Sequence, residues 1–392
     1  MDHGIRASGL RANGGIRLIG AIIEHGVTLT GAELVNEHGW ALNAQGMTVG
    51  YGLFLGNSLR DPDGLTVTGG LRLIGVQVNG FVSLRGAQLR PHGRWAIAAR
   101  GLSVESDLLM GEGFRSEGEL NLVDLRVGNE WTLAGSLSKG TAEATVVAER
   151  AVVGGAVLCD GLVSDGVVHL RQAQLGRLAL PADAPISRLD LRHARIQVLE
   201  HRPQAGSPPM RVRDLGYDSI AADPPATVRD HLDWLARDPD GYAPQPYEQL
   251  ASSYRRIGDE SAARTVAVAA LTRQRRTLPP AGRLWSRLLQ ITVGYGYRTW
   301  QAGLWLLALI APGALAFWRF YPAQFAPATD HPAAFQPVVY TIDVLVPVVD
   351  LGQQSDWNAT GAAAWLAWSF IALGWVLTTS VAAGLARVLR RA

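Results

Sequence analysis

The chain has 392 residues, 48% of them hydrophobic and 18% charged, where an average soluble domain carries about 25% charged residues; this excludes a disordered or strongly solvated protein. Thirty-six basic residues meet 34 acidic ones, a formal charge of +2, so there is no uniform basic field of the kind that non-specific nucleic-acid binding needs. The single cysteine, Cys159, excludes an intramolecular disulfide framework and any multi-cysteine metal centre, and it fits a reducing compartment.

The N-terminal MDHGIRASGLRANGG lacks a basic start followed by an apolar core, so no secretory signal is expected. Residues 9–49 and 64–104 then align without a gap at an offset of 55, with GLRANGGIRLIGAIIEHGVTLTGAEL over GLTVTGGLRLIGVQVNGFVSLRGAQL and WALNAQGMTV over WAIAARGLSV. The pattern continues more loosely in GELNLVDLRV, GVVHLRQAQL and SRLDLRHARI, as in a repeat architecture. Apolar pairs such as Ile16 and Leu18, Val27 and Leu29, and Val82 and Leu84 alternate at strand period and are cut by glycines. A parallel β-solenoid over residues 1–201 accommodates them, with a β-sandwich as the alternative. Coils of about 20–22 residues would give about nine coils and a rod roughly 40 Å long.

Pro-rich RPQAGSPP (202–209) ends this region, and 246–276 reads as a helical hairpin. Tyr247, Leu250 and Tyr254 share one face, Gly258 and Asp259 turn the chain, and Ala262, Ala263, Val266 and Ala270 line the second helix. Residues 202–298 are therefore expected to be a linker, a helical coupling hairpin and a basic juxtamembrane helix.

The last part, 299–392, reads as a two-span membrane domain. TWQAGLWLLALIAPGALAFW (299–318) and AAAWLAWSFIALGWVLTTSVAAGLA (362–386) contain no charged side chain, and each is long enough to cross a roughly 30 Å hydrocarbon core. Arg273, Arg275, Arg276, Arg283, Arg287 and Arg298 precede the first span, and Arg387, Arg390 and Arg391 follow the second. The loop between them carries Arg319 with Asp330, Asp343, Asp350 and Asp356. The positive-inside rule then predicts a plasma-membrane protein with both termini cytoplasmic. The first six arginines with Arg390 and Arg391 are the expected contacts to anionic lipid, at about 1 kcal/mol for each one near the surface.

Two strings suggest ion conduction. Thr292-Val293-Gly294-Tyr295-Gly296 spells a potassium-channel filter, but it precedes the first span where a filter follows a pore helix between two spans. The segment 335–354 has an apolar core too short to cross and contains Asp343, Pro347 and Asp350. In an oligomer the two carboxylates would form rings along a pore; alternatively the segment lies on the outer surface, and Pro347 breaks the helix that would align them. Other chemistry lacks the required spacing. The nine histidines form no H-E-x-x-H, and no nucleotide-binding loop surrounds Lys139, the lone lysine. His25, His38 and His92 read as solvated corners, Cys159 as a buried strand thiol, and no cofactor is expected.

The stretches GAEL, GAQL, QAQL and HARI resemble the A-(D/N)-L-x-x unit of pentapeptide-repeat proteins, which implies a right-handed solenoid core. The 246–276 hairpin is similar to one tetratricopeptide unit. YEQLASSYRRIGDESAAR, TVGYGYRTW, VVYTIDVLVPVVDLGQ and GWVLTTSVAAGLARVLRR together resemble actinobacterial two-span membrane proteins with a pentapeptide-like solenoid. Some of those carry a membrane-associated oxidoreductase label, so the resemblance implies redox chemistry as a third possibility. The residues themselves favour a non-enzymatic scaffold or sensor at the inner leaflet, its solenoid facing a cytoplasmic protein or ligand, with an oligomeric pore as the alternative. Arg11, Arg72, Arg85, Arg100 and Arg171 alternate with core aliphatics and would form either a stripe for an acidic partner or an ordinary soluble β surface.

Overall fold

Short runs of alternating aliphatics, each ended by a turn residue, stack into a parallel β-solenoid. The computed structural model describes residues 4–57, 64–111, 113–181, 184–204, 206–277, 299–346 and 350–389. Val27 pairs with Leu53 and Leu53 with Val82, and the column runs on through Leu108, Trp131, Val157, Leu178, Leu199 and Ile220. Each step is a parallel pairing, so every inward side chain lies on its counterpart one coil away. Four short segments build a coil: residues 26–28, 33–35, 42–43 and 48–49 each pair with the next coil.

Successive steps in that column are 26, 29, 26, 23 and 26 residues, then 21 three times. The 20–22-residue period expected from the sequence therefore holds for the first step, Ile5 to Val27, and again from Val157 onward, but not between them. The 26-residue coils are longer because residues are inserted at one corner, where the pairing register shifts at Val35–Trp40, Trp95–Ile97 and Ala144–Val146, whereas the extra residues of the 29-residue coil fall at another corner, between Phe54 and Thr66. The 55-residue self-match corresponds to two coils, Val27 to Val82. Long corners alternate with glycine corners because an inserted loop folds over its neighbour: a Cβ on Gly69 would lie 2.7 Å from the Asn36 carbonyl oxygen, and one on Gly118 2.9 Å from that of Arg94. Buried positions otherwise step by two and then three, as in Val168, Leu170, Ala173, Leu175, Leu178 and Leu180.

A second corner is left-handed in every coil. It is occupied by Gly20, Gly46, Gly75 and Gly101, then by Asp124, Arg150, Gln172, His193 and Asp214 with φ between 58° and 60°. The non-glycine residues accept a conformation that costs an L-residue roughly 1–2 kcal/mol. Cross-coil contacts between acidic and basic side chains accompany four of them: Arg150 donates through Nε to Asp124 Oδ1 at 2.7 Å, Arg100 lies 3.6 Å from Asp124, and His193 lies 3.4 Å from Asp214.

Three helices follow the coils and pack on them: α1 (Val228–Ala236), α2 (Pro244–Arg256) and α3 (Glu260–Thr277). Trp234, Leu235, Tyr247, Leu250, Tyr254 and Val266 join the solenoid core. Helix α2 also occupies the last sheet edge. Gln245 and Gln249, one turn apart, donate their side-chain amides to the Leu215 and Tyr217 carbonyls at 2.9 and 2.5 Å, and Arg256 donates to the Asp218 carbonyl. These side chains supply the donors that a further coil would otherwise provide, closing an edge that would template pairing. Solenoid and helices up to Ala270 form one compact unit, and Leu271–Ala392 form a second.

The second unit contains α4 (Thr299–Phe320), α5 (Pro337–Leu345), the one-turn α6 (Gln353–Asp356) and α7 (Gly361–Leu389). Its core is aromatic: Phe317, Phe325 and Tyr340 are buried and meet at near-perpendicular ring angles. Helix α5 packs against both α4 and α7, and small residues admit it: a Cβ on Gly374 would lie 1.9 Å from the Leu345 carbonyl oxygen. Among the described helices, one stretch, Gly361–Thr379, is long and apolar enough to cross a membrane, while the apolar stretch Leu304–Phe320 is shorter.

Candidate functional site

The acidic residues singled out between the apolar segments come together. Asp343 and Asp350 line one cavity of about 530 Å³ with Gln354, Ser355, Ile371 and Trp375. Their roles differ. Asp343 is 4% exposed, and its two oxygens accept the Leu351 and Gln354 backbone amides at 2.8 and 2.7 Å. It pins the 350–354 segment to α5. Asp350 accepts the Gly352 amide at 2.9 Å, closing a turn in which Gly352 takes a left-handed φ of 78°. Pro347 lies outside the described residues, as do Arg283, Arg287, Arg298, Arg390 and Arg391. Arg273, Arg275 and Arg276 fall on α3.

On the solenoid, most of the singled-out arginines already have partners. Arg11 pairs with Glu33 at 3.3 Å, Arg100 with Asp124 and Arg171 with Glu149, each one coil away. The Arg72 guanidinium sits 6.0 Å from the Trp40 ring centroid. Exposed pairs of this kind contribute little stability, but they cancel the local positive field that an arginine stripe would present.

Two open clefts mark the solenoid surface. A trough of about 510 Å³ runs over coils six to nine, floored by Gly154, Gly176 and Tyr217, with Gln174, Arg195, Gln197, Gln249 and Arg256 at its sides. Gln174 and Arg195 are paired positions of adjacent coils. The second cleft, about 320 Å³, lies between the inserted loops at 37–39 and 91–94. Here Trp40 and Trp95, 55 residues and two coils apart, stack with centroids 6.3 Å apart and planes 10° from parallel. Exposed His38 and His92 stand on the two loops.

The buried polar groups were not apparent from local sequence. Asp190 is fully buried and receives Arg192 through Nε at 2.9 Å and a terminal nitrogen at 2.7 Å, with His169 at 3.4 Å. Burial works to raise its carboxyl, but the contacts from His169 and Arg192 outweigh that and hold it well below the ordinary carboxylate value. Asp240, beyond α1, reaches the same cluster through Arg192 and Arg211. His201, 1% exposed, lies against Trp234 with no well-aligned hydrogen bond to either ring nitrogen among the described residues. Burial lowers it to about 4. His231 is bonded through Nδ1 to the Tyr254 hydroxyl at 2.8 Å and is likewise lowered by burial. Apart from Asp190 with Arg192, two residues on, these contacts join residues 20 or more apart, which no local motif encodes.

Cys159 is buried, and burial with the nearby Asp160 pushes its thiol up to about 12. A group held in the thiol form is a poor nucleophile. Among the described residues no cluster of three His, Cys, Asp or Glu side chains is arranged to hold a metal ion.

No family model matches the chain, and no significant similarity to a curated protein or a solved structure is found. The fold therefore defines the class: a parallel β-solenoid closed by helices and followed by an apolar helical unit.

Proposed function

We propose that this protein is a membrane-anchored solenoid scaffold, whose second unit sits in the bilayer as a two-span anchor and whose coils present a binding face on the cytoplasmic side. The observation that carries this reading is the outer surface of α4 and α7, where Leu307, Leu315, Trp318, Trp365, Trp368 and Trp375 are exposed. A contiguous apolar surface of that kind is unfavourable in water and suited to lipid. The Gly361–Thr379 stretch, at 19 residues, corresponds to about 28 Å of helix, close to the roughly 30 Å hydrocarbon core. The trough bearing Arg195 with Gln174 and Gln197 offers hydrogen-bonding groups to a cytoplasmic protein or ligand. Arginines around α3 would contact anionic head groups.

The buried Cys159 leaves a clean background for the test. Ala328→Cys and Gln77→Cys, both at exposed positions, are treated in intact cells with a membrane-impermeant maleimide. Labelling at 328 alone, with labelling at 77 only after lysis, supports the anchored arrangement. Labelling of neither site in intact cells, or recovery of the chain in a carbonate wash, overturns it.

The oligomeric pore is the second reading, favoured by the shared cavity of Asp343 and Asp350. It is weakened because both Asp343 oxygens already accept backbone amides. Absence of conductance from purified protein in planar bilayers removes it. The oxidoreductase reading requires a bound cofactor, and a colourless preparation with no cofactor by mass spectrometry counts against it.

A further inference from the structure

We propose that the cleft between the 37–39 and 91–94 loops is a saccharide site that seats one pyranose ring against the Trp40–Trp95 pair. Both loops are insertions that the stacking of coils does not require, since the last coils manage with 21 residues. Each loop is held in place. Asn36 donates through Nδ2 to the Trp40 carbonyl at 3.0 Å and accepts the His38 amide at 3.3 Å. Arg94 binds the Glu119 carboxylate through Nε at 2.9 Å and a terminal nitrogen at 2.7 Å, and Glu119 is 1% exposed.

The floor is kept open by Gly70, in the coil between the two tryptophans. A Cβ there would stand 2.7 Å from the Trp40 ring, so any side chain would displace the indole. Trp95 remains 42% exposed, so part of its indole is open to a ligand. Around the indoles, Glu37 accepts hydrogen bonds, Arg94 donates them, and His38 and His92 can do either. Among the lining residues Glu37 stands against Arg94, so the cleft favours neither a cation nor an anion. A ring with an apolar C–H face and a rim of hydroxyls matches both features: the face covers indole surface, and the hydroxyls satisfy donors and acceptors together. The volume, about 320 Å³, lies at the small end of ligand pockets and suits one ring.

The test uses the full chain in lipid nanodiscs, since glycoside detergents would compete. Saturation-transfer NMR is recorded with methyl gluco-, galacto- and mannopyranoside, and with choline as a cationic control. Transfer to the ring protons of at least one pyranoside, lost in Trp95→Ala and at least fivefold weaker in Glu37→Gln, is the expected result. Glu37 and His92 are exposed, so Glu37→Gln and His92→Ala carry the test if Trp95→Ala melts early. Transfer to no pyranoside, transfer to choline instead, or pyranoside binding unchanged in Glu37→Gln and His92→Ala would each overturn the assignment.

Discussion

The two units bury and expose opposite kinds of side chain. In the solenoid the interior is aliphatic and repetitive, with columns such as Val157, Leu178 and Leu199 fully buried, while the exterior carries ion pairs from coil to coil. The second unit fills its interior with rings, Phe317, Phe325 and Tyr340, and turns leucine and tryptophan outward. A stacked column is easiest to fill when neighbouring coils contribute similar shapes, and branched aliphatics, which supply every position of the traced column but Trp131, repeat well at strand spacing. Two long helices and one short one that meet at one place have no repeat to exploit, and large rings fill the irregular gap. The contrast also says where a charge is tolerated, and that can be measured.

The largest expected effect is Leu178→Arg. Burying an unpaired guanidinium in the column costs more than about 5 kcal/mol, so the β signal in circular dichroism should no longer melt cooperatively at ordinary temperature. Leu307→Arg makes the complementary test, because Leu307 is 66% exposed. It should leave the solenoid melt unchanged while weakening bilayer insertion by about 2.5–3.5 kcal/mol, read as a shift from the membrane to the soluble fraction. Equal damage from both substitutions would break the comparison.

Acid should reach the first unit through His201. Its unfolded value is 6.5 and its folded value about 4, so between these the unfolded chain binds more protons and stability rises with pH. Stability is then complete above pH 6.5 and falls as pH drops towards 4, by about 3 kcal/mol for this residue. Melting temperature against pH should show that slope, and His201→Leu should make it shallower, leaving the part due to His231, which burial also lowers. Smaller still is the effect of removing the donors on the last coil. Gln245→Ala with Gln249→Ala should cost about 1–3 kcal/mol and speed amide exchange in Gly216–Ala221 ahead of the other coils. The smallest change is a gain: Gln172→Gly, at φ 58°, should raise stability by about 1 kcal/mol, seen as a higher melting temperature.

Much of the solenoid was legible because its signal is local and repeated. Alternating pairs such as Val82 and Leu84 reveal strands, and the gapless match reveals stacking. The hairpin too is found where periodicity placed it, with Tyr247, Leu250 and Tyr254 buried and Gly258 in the turn at φ 82°. The length of a coil was misjudged because a loop inserted at a corner leaves both flanking strands unchanged, and 55 residues divide into two unequal coils rather than several equal ones. The stack of Trp40 on Trp95 was hidden for a related reason. The match aligns the two residues, but only the glycine between them in space brings the rings together. Asp343 shows another limit: residue type and spacing left its carboxylate either facing a pore or on a surface segment, and could not reveal that its oxygens accept backbone amides 8 and 11 residues away.

The alternation of long and glycine corners gives the early coils a parity. A coil carrying a loop such as 36–40 needs a glycine-cornered neighbour, so removing one coil there would set two loops against each other, whereas removing two would restore the fit. Beyond Val152 no such constraint operates, and the stack can gain or lose single coils. One rod thus contains two rules of growth, in pairs near its start and by single coils near its helical end, and its length can change by one coil only in the second part.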